Sequence, residues 1–92
     1  MDQNEAETIA LNVLNFLLGN ETRLERFMTL SGMDPQALKN NASDPVFLAG
    51  ILDYLLQDET LVYLFVEEYN LSPALPATAR RTLVGGNNGD FH

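Results

Sequence analysis

The side chains that could do chemistry in this 92-residue chain are mainly carboxylates, because histidine occurs once and cysteine is absent. The one histidine is His92, the last residue, where no surrounding structure is expected to position it as a base. No Ser-His or Cys-His pair of the kind used in nucleophilic catalysis is therefore expected. The sequence also lacks a phosphate-binding glycine loop and an HExxH zinc motif. We expect that the protein is not an enzyme and needs no cofactor.

The acidic residues do not have the spacing of a metal site. Asp58 stands where an N-cap is expected, and Glu59 follows it in the first turn, where the helix dipole favours an acid. The Asn87–Asp90 stretch lacks the ligand spacing of a calcium loop. No metal is expected, although one group of carboxylates is denser than the rest: Asp53, Asp58, Glu59, Glu67 and Glu68.

The formal net charge of −8 argues against two classes of partner. Phosphate backbones attract lysine and arginine and repel carboxylates, so neither a nucleic acid nor an anionic membrane surface is expected. The N-terminus shows no basic signal-peptide region, and the apolar stretches are far shorter than the ~20 residues that span a bilayer. These features predict a cytoplasmic protein.

Proline, glycine and capping residues divide the chain into helices with no strand between them. We expect an all-α, compact bundle of about five to six helices, forming a single domain over residues 1–84 and followed by a flexible tail over residues 85–92. The predicted starts, each at a cap or a cap-proline pair, are Asp2 or Asn4, Asn20, Asp34-Pro35, Ser43 or Asp44, Asp58 and Ser72-Pro73. The predicted ends are Gly19, Gly32, Asn40, Asn70 and Val84, with the fourth helix stopping before Asp58.

The second half of the chain resembles the first. Asn20-Glu21-Thr22 recurs as Asp58-Glu59-Thr60, an offset of 59 − 21 = 38, and at that offset residues 13–37 and 51–75 share seven identities in 25 pairs. The matched residues are caps, helix stops and core positions, which convergent helix punctuation could also produce. The pattern predicts two tandem three-helix repeats, over about residues 6–40 and 44–84, related by a pseudo-twofold axis.

The fifth helix departs from this repeat. Arg23, Glu25 and Arg26 form the polar face of the second helix, and their counterparts are Leu61, Tyr63 and Leu64. A helix that is apolar nearly all round is either buried or meets a partner. The sixth helix could cover these three residues. Alternatively they form an interface with a protein partner or with a second copy in a homodimer. On the second interpretation the protein is a non-catalytic protein-interaction module.

A small-molecule or lipid-binding bundle is the alternative function. Two amphipathic units could enclose a cavity lined by four aromatic residues, although ordinary core packing explains the same residues. They are Phe16, Phe27, Tyr54 and Phe65.

Three stretches of sequence resemble a known family. They are Ala6–Ala10, Arg26-Phe27 followed by Leu30–Pro35, and Asp44–Leu48 leading to Leu52–Leu56. On these stretches the chain is similar, over about residues 5–84, to short helical alpha-proteobacterial proteins catalogued as a domain of unknown function. The resemblance implies a helical fold and a bacterial cytoplasmic setting. It implies no activity and no functional residues.

Overall fold

The computed structural model describes residues 1–85, and within them the chain forms six α-helices and no strand. The expected all-α fold is confirmed. The helices are α1 (Gln3–Leu18), α2 (Glu21–Ser31), α3 (Pro35–Asn41), α4 (Pro45–Leu56), α5 (Glu59–Tyr69) and α6 (Leu75–Gly85). In this part of the chain no helix is both long and apolar enough to cross a membrane. The tail predicted over residues 85–92, with His92, lies outside the described residues except for Gly85, which ends α6.

Local side-chain caps fix the starts of the first five helices. Asp2 accepts the Glu5 N–H at 2.8 Å while the Glu5 carboxylate accepts the Asp2 N–H at 3.2 Å, which is a complete capping box. The other caps are Asn20, Asp34, Asp44 and Asp58. Each cap satisfies a backbone N–H that has no partner inside its helix. The predicted starts of these helices are therefore confirmed.

The predicted start of α6 at Ser72-Pro73 is wrong, and Pro76 explains why. A helix that starts at Pro73 needs residue 76 to donate its N–H to the Ser72 carbonyl, and proline has no N–H. The chain instead makes a turn in which the Leu75 N–H donates to the Ser72 carbonyl at 3.0 Å. The regular helix begins at Leu75, and the Thr78 N–H then reaches the Ala74 carbonyl.

The core lies where α1, α4 and α6 pack against one another, with α2 on α1 and α5 on α4. Successive turns of α1 and α4 bury apolar residues on one face, as their sequence spacing predicts. The largest fully buried side chains are Phe16, Phe65, Leu17, Leu48, Ile51, Leu52 and Leu55.

Several features of the two halves coincide at the offset of 38. Helices α2 and α5 begin and end at matching positions, and each is followed by a residue in the left-handed region, Gly32 with φ +74° and Asn70 with φ +56°. Phe16 meets Phe65 edge-to-face at 5.5 Å, and Phe27 meets Tyr54 edge-to-face at 4.9 Å. The offset converts the first ring pair into the second, across the two halves. A twofold relation requires such reciprocal contacts, although the duplication itself stays a prediction.

Candidate interaction surface

Of the two alternatives for the apolar face of α5, coverage by the sixth helix does not hold for Tyr63 and Leu64. Helix α6 packs against α1 and α4 instead. Tyr63 is 62% exposed and Leu64 is 40% exposed, whereas Leu61 is half-buried against the core. Two of the three residues predicted to form an interface are therefore open to solvent.

Helix geometry places these three side chains on two flanks of α5. Each residue turns the helix by about 100°, so Leu61 and Leu64 are neighbours at a spacing of three while Tyr63 lies on the other side of the outward ridge. Leu61 borders a cleft shared with Arg23 and Tyr54. Tyr63 borders a shallow depression beside Pro73. The face is thus an apolar band on both sides of Thr60 and Glu67 rather than one compact patch.

The corresponding face of α2 is charged and also exposed. Glu25 and Arg26, the counterparts of Tyr63 and Leu64, are open to solvent in the same way. Arg23, the counterpart of Leu61, instead lies over the Phe16 ring at 4.0 Å, a cation–π contact. At the two exposed positions the second half therefore carries apolar side chains where the first half carries charges.

The carboxylates noted in the sequence do not come together. Asp58 caps α5 by accepting the N–H groups of Thr60 and Leu61 at 3.0 and 3.3 Å. Asp53 forms a half-exposed ion pair with Arg80 of α6. Glu67 and Glu68 point into solvent. Among the described residues, no group of three or more His, Cys, Asp or Glu side chains could hold a metal ion.

The aromatic residues expected around an enclosed cavity pack against one another. Phe16, Phe27 and Phe65 are almost fully buried and meet in the ring pairs described above. The open space lies at the surface, where Phe27 and Tyr54 border a groove of about 430 Å³ between α2 and α4. The remaining walls and rim of this groove are Leu30, Ser31, Met33, Phe47, Gly50, Ile51, Asp53 and Gln57.

Sequence reasoning missed this α2–α4 groove. Its outer rim carries Leu30, which is 66% exposed. The signal that could have found it is the pairing of Ser31 with Tyr69 at the offset of 38, where a small residue stands in place of a large ring one turn after Phe27.

Tyr54 lines the α2–α4 groove and also two further clefts, each of which is bordered by both Arg26 and Asp58. Burial raises the pKa of the Tyr54 hydroxyl above its ordinary value. The nearby Arg26 charge opposes this rise, and Asp58 adds to it. The hydroxyl, which any tyrosine keeps protonated at neutral pH, therefore stays protonated to higher pH than in an exposed tyrosine.

Comparison with known proteins identifies a family to which the chain is similar. A family described as "Protein of unknown function (DUF3572)" matches residues 3–86. No curated protein and no solved structure matches the chain. The resemblance read from the sequence to a domain of unknown function is confirmed, while the alpha-proteobacterial source stays a prediction.

Proposed function

We propose that this chain, which belongs to the DUF3572 family of proteins of unknown function, is a non-catalytic, cytoplasmic protein-interaction module. The observation that carries the proposal is the exposure of Tyr63 and Leu64 on α5. Apolar surface in water costs about 25 cal/mol per Å², which a partner recovers by covering it. Tyrosine in particular is enriched at protein interfaces, because it offers a large ring together with one polar group.

The partner proposed for this face is a second copy of the chain, which would form a homodimer. In a twofold pair of antiparallel α5 helices centred between residues 63 and 64, Tyr63 of each copy would face Leu64 of the other. The same register would place Glu59 opposite Glu68, and these like charges would oppose association. Salt should therefore tighten the dimer between about 0.1 and 1 M, where the screening length falls from about 10 to 3 Å.

Light scattering across a protein dilution series tests the proposal. The wild type should pass from dimer to monomer on dilution, whereas Leu64→Glu should stay monomeric at every concentration. Leu64 is 40% exposed, so a charge there can reach water in the monomer and the helical circular dichroism should persist.

Val46→Glu is the matched control. Val46 is an apolar residue of α4 with 79% exposure, and an acid is favoured near the start of that helix. This variant should associate like the wild type. A wild type that is monomeric at all concentrations would refute self-association, and a dimer that persists in Leu64→Glu would refute the assignment to α5.

A further inference from the structure

The two halves of the protein differ in the size of their aromatic clusters, which contain three rings in one case and two in the other. In the second half, Tyr69 packs against Phe65 at 4.9 Å and against Phe16 at 6.5 Å. At the offset of 38 the same three positions are Ser31, Phe27 and Tyr54. Phe27 and Tyr54 keep their contact with each other, but Ser31 supplies no ring. The α2–α4 groove lies beside these two rings, with Ser31 in its wall.

A second missing side chain deepens the same groove. Gly50 lies inside α4 and lines the groove, where its counterpart at the offset of 38 is Asn12. Glycine inside a helix costs about 1 kcal/mol relative to alanine. A Cβ added at Gly50 would meet nothing within 4 Å, so packing within the chain does not require glycine at this position. Close approach by another molecule is a reason to have glycine there.

We infer that the α2–α4 groove binds an aromatic side chain presented by a partner protein on a basic segment. The incoming ring would take the place that Tyr69 takes in the other half and would contact the Phe27–Tyr54 pair. Neither Tyr63 nor Leu64 lines this groove, and the inference does not depend on the function proposed for the α5 face.

Charge supports the basic character of the partner segment. The chain carries a net charge of −8. Asp34 follows Met33 at one end of the groove, while Asp58 and Glu59 border the cleft beyond Gln57, with Arg26 as the cation there. Lysine or arginine beside the anchoring ring would therefore be attracted, and complementary charges speed association.

A lysine–alanine peptide with one central tyrosine is the probe. It should produce saturable NMR shifts at the amides of Leu30, Ser31 and Gly50. Replacing the tyrosine with alanine, or the lysines with glutamates, should weaken binding about tenfold. The titrations use Leu64→Glu alongside the wild type, so that failure of α5-mediated association and failure of the groove are distinguishable.

A variant that fills the groove with a side chain of the protein itself gives the most direct test. Ser31→Tyr should block the peptide, as Tyr69 fills the other half, and Thr29→Tyr is the matched control because Thr29 is exposed on the same helix and does not line the groove. If Ser31→Tyr fails to fold, Gly50→Leu blocks the same space from α4. Loss of binding in the blocked variant and retention in Thr29→Tyr are the expected results.

Four outcomes would overturn the inference. The first is equal binding of the tyrosine and alanine peptides, and the second is equal binding of the lysine and glutamate peptides. The third is tighter binding of p-cresol than of the peptide, which would make the groove a site for free aromatic compounds. The last is an increase in peptide affinity in Phe91→Ala, which would make residues 86–92 of the chain itself the occupant.

Discussion

Exchanging serine and tyrosine at the ends of α2 and α5 should change stability in opposite directions. Tyr69 makes two ring contacts, at 4.9 Å with Phe65 and at 6.5 Å with Phe16. Aromatic pairs contribute about 0.5–1.5 kcal/mol each beyond the area they bury. Tyr69→Ser should therefore lower the free energy of unfolding by about 2 kcal/mol. At about 4–8 °C per kcal/mol for a chain of this size, the melting temperature should fall by about 8–16 °C.

Ser31→Tyr should raise the free energy of unfolding, by a smaller amount than Tyr69→Ser lowers it. The new ring would contact Phe27 and Tyr54, but ordering a long side chain costs about 0.5–1 kcal/mol, which leaves a gain of about 1 kcal/mol. Thermal melts followed by circular dichroism, with Thr29→Tyr as the control, measure the change. If Ser31→Tyr melts at or below the wild-type temperature while Thr29→Tyr is unchanged, the groove does not accept a ring and the comparison of the two halves fails.

Three further predictions concern single positions. Gly50→Ala should raise the free energy of unfolding in urea by about 0.5–1 kcal/mol, because a Cβ at position 50 has open space. Gly32→Ala should lower this free energy by about 1–2 kcal/mol, because φ at position 32 is +74°. A change of the same sign in both variants would contradict this reasoning. Asp58→Ala should lower the free energy of unfolding by about 1 kcal/mol in the same assay, because it removes the α5 cap. Asp58→Asn should keep most of the stability that the cap contributes. The raised pKa of Tyr54 means that the unfolded chain loses this proton first, so its contribution to stability is present below the ordinary tyrosine pKa and is lost as pH rises through the folded-state pKa. Tyr54→Phe should therefore flatten the alkaline fall in melting temperature, and an unchanged slope would contradict burial as the cause.

Helix boundaries could be predicted from the sequence where a local interaction sets them. Asp2, Asn20 and Asp58 each cap a helix through an N–H two or three residues away. Gly32 and Asn70 end helices because they tolerate positive φ. Helix α6 does not start at its cap-proline pair Ser72-Pro73, as α3 does at Asp34-Pro35, because Pro76 lacks the N–H that the Ser72 carbonyl would accept.

The candidate surfaces could be predicted only in part, because they depend on contacts between distant segments. The apolar character of Tyr63 and Leu64 is visible in the sequence, but their exposure depends on α6 packing against α1 and α4. The α2–α4 groove is harder to predict, because it results from side chains that are smaller than their counterparts in the other half of the chain. Ser31 and Gly50 carry no hydrophobic signal, and only the comparison with Tyr69 and Asn12 shows what is missing.

The two halves differ in complementary ways, and this difference makes the two proposals separable. In α5, Tyr69 packs against Phe65 and Phe16, while Leu64 is exposed on the outer face. Helix α2 has a charged outer face with Arg26 and leaves the groove beside Ser31 open. A substitution at Leu64 therefore changes the outer face of α5, whereas a substitution at Ser31 changes the groove beside α2. Each should remove one interaction and leave the other intact, because effects at sites that share no contacts are usually additive.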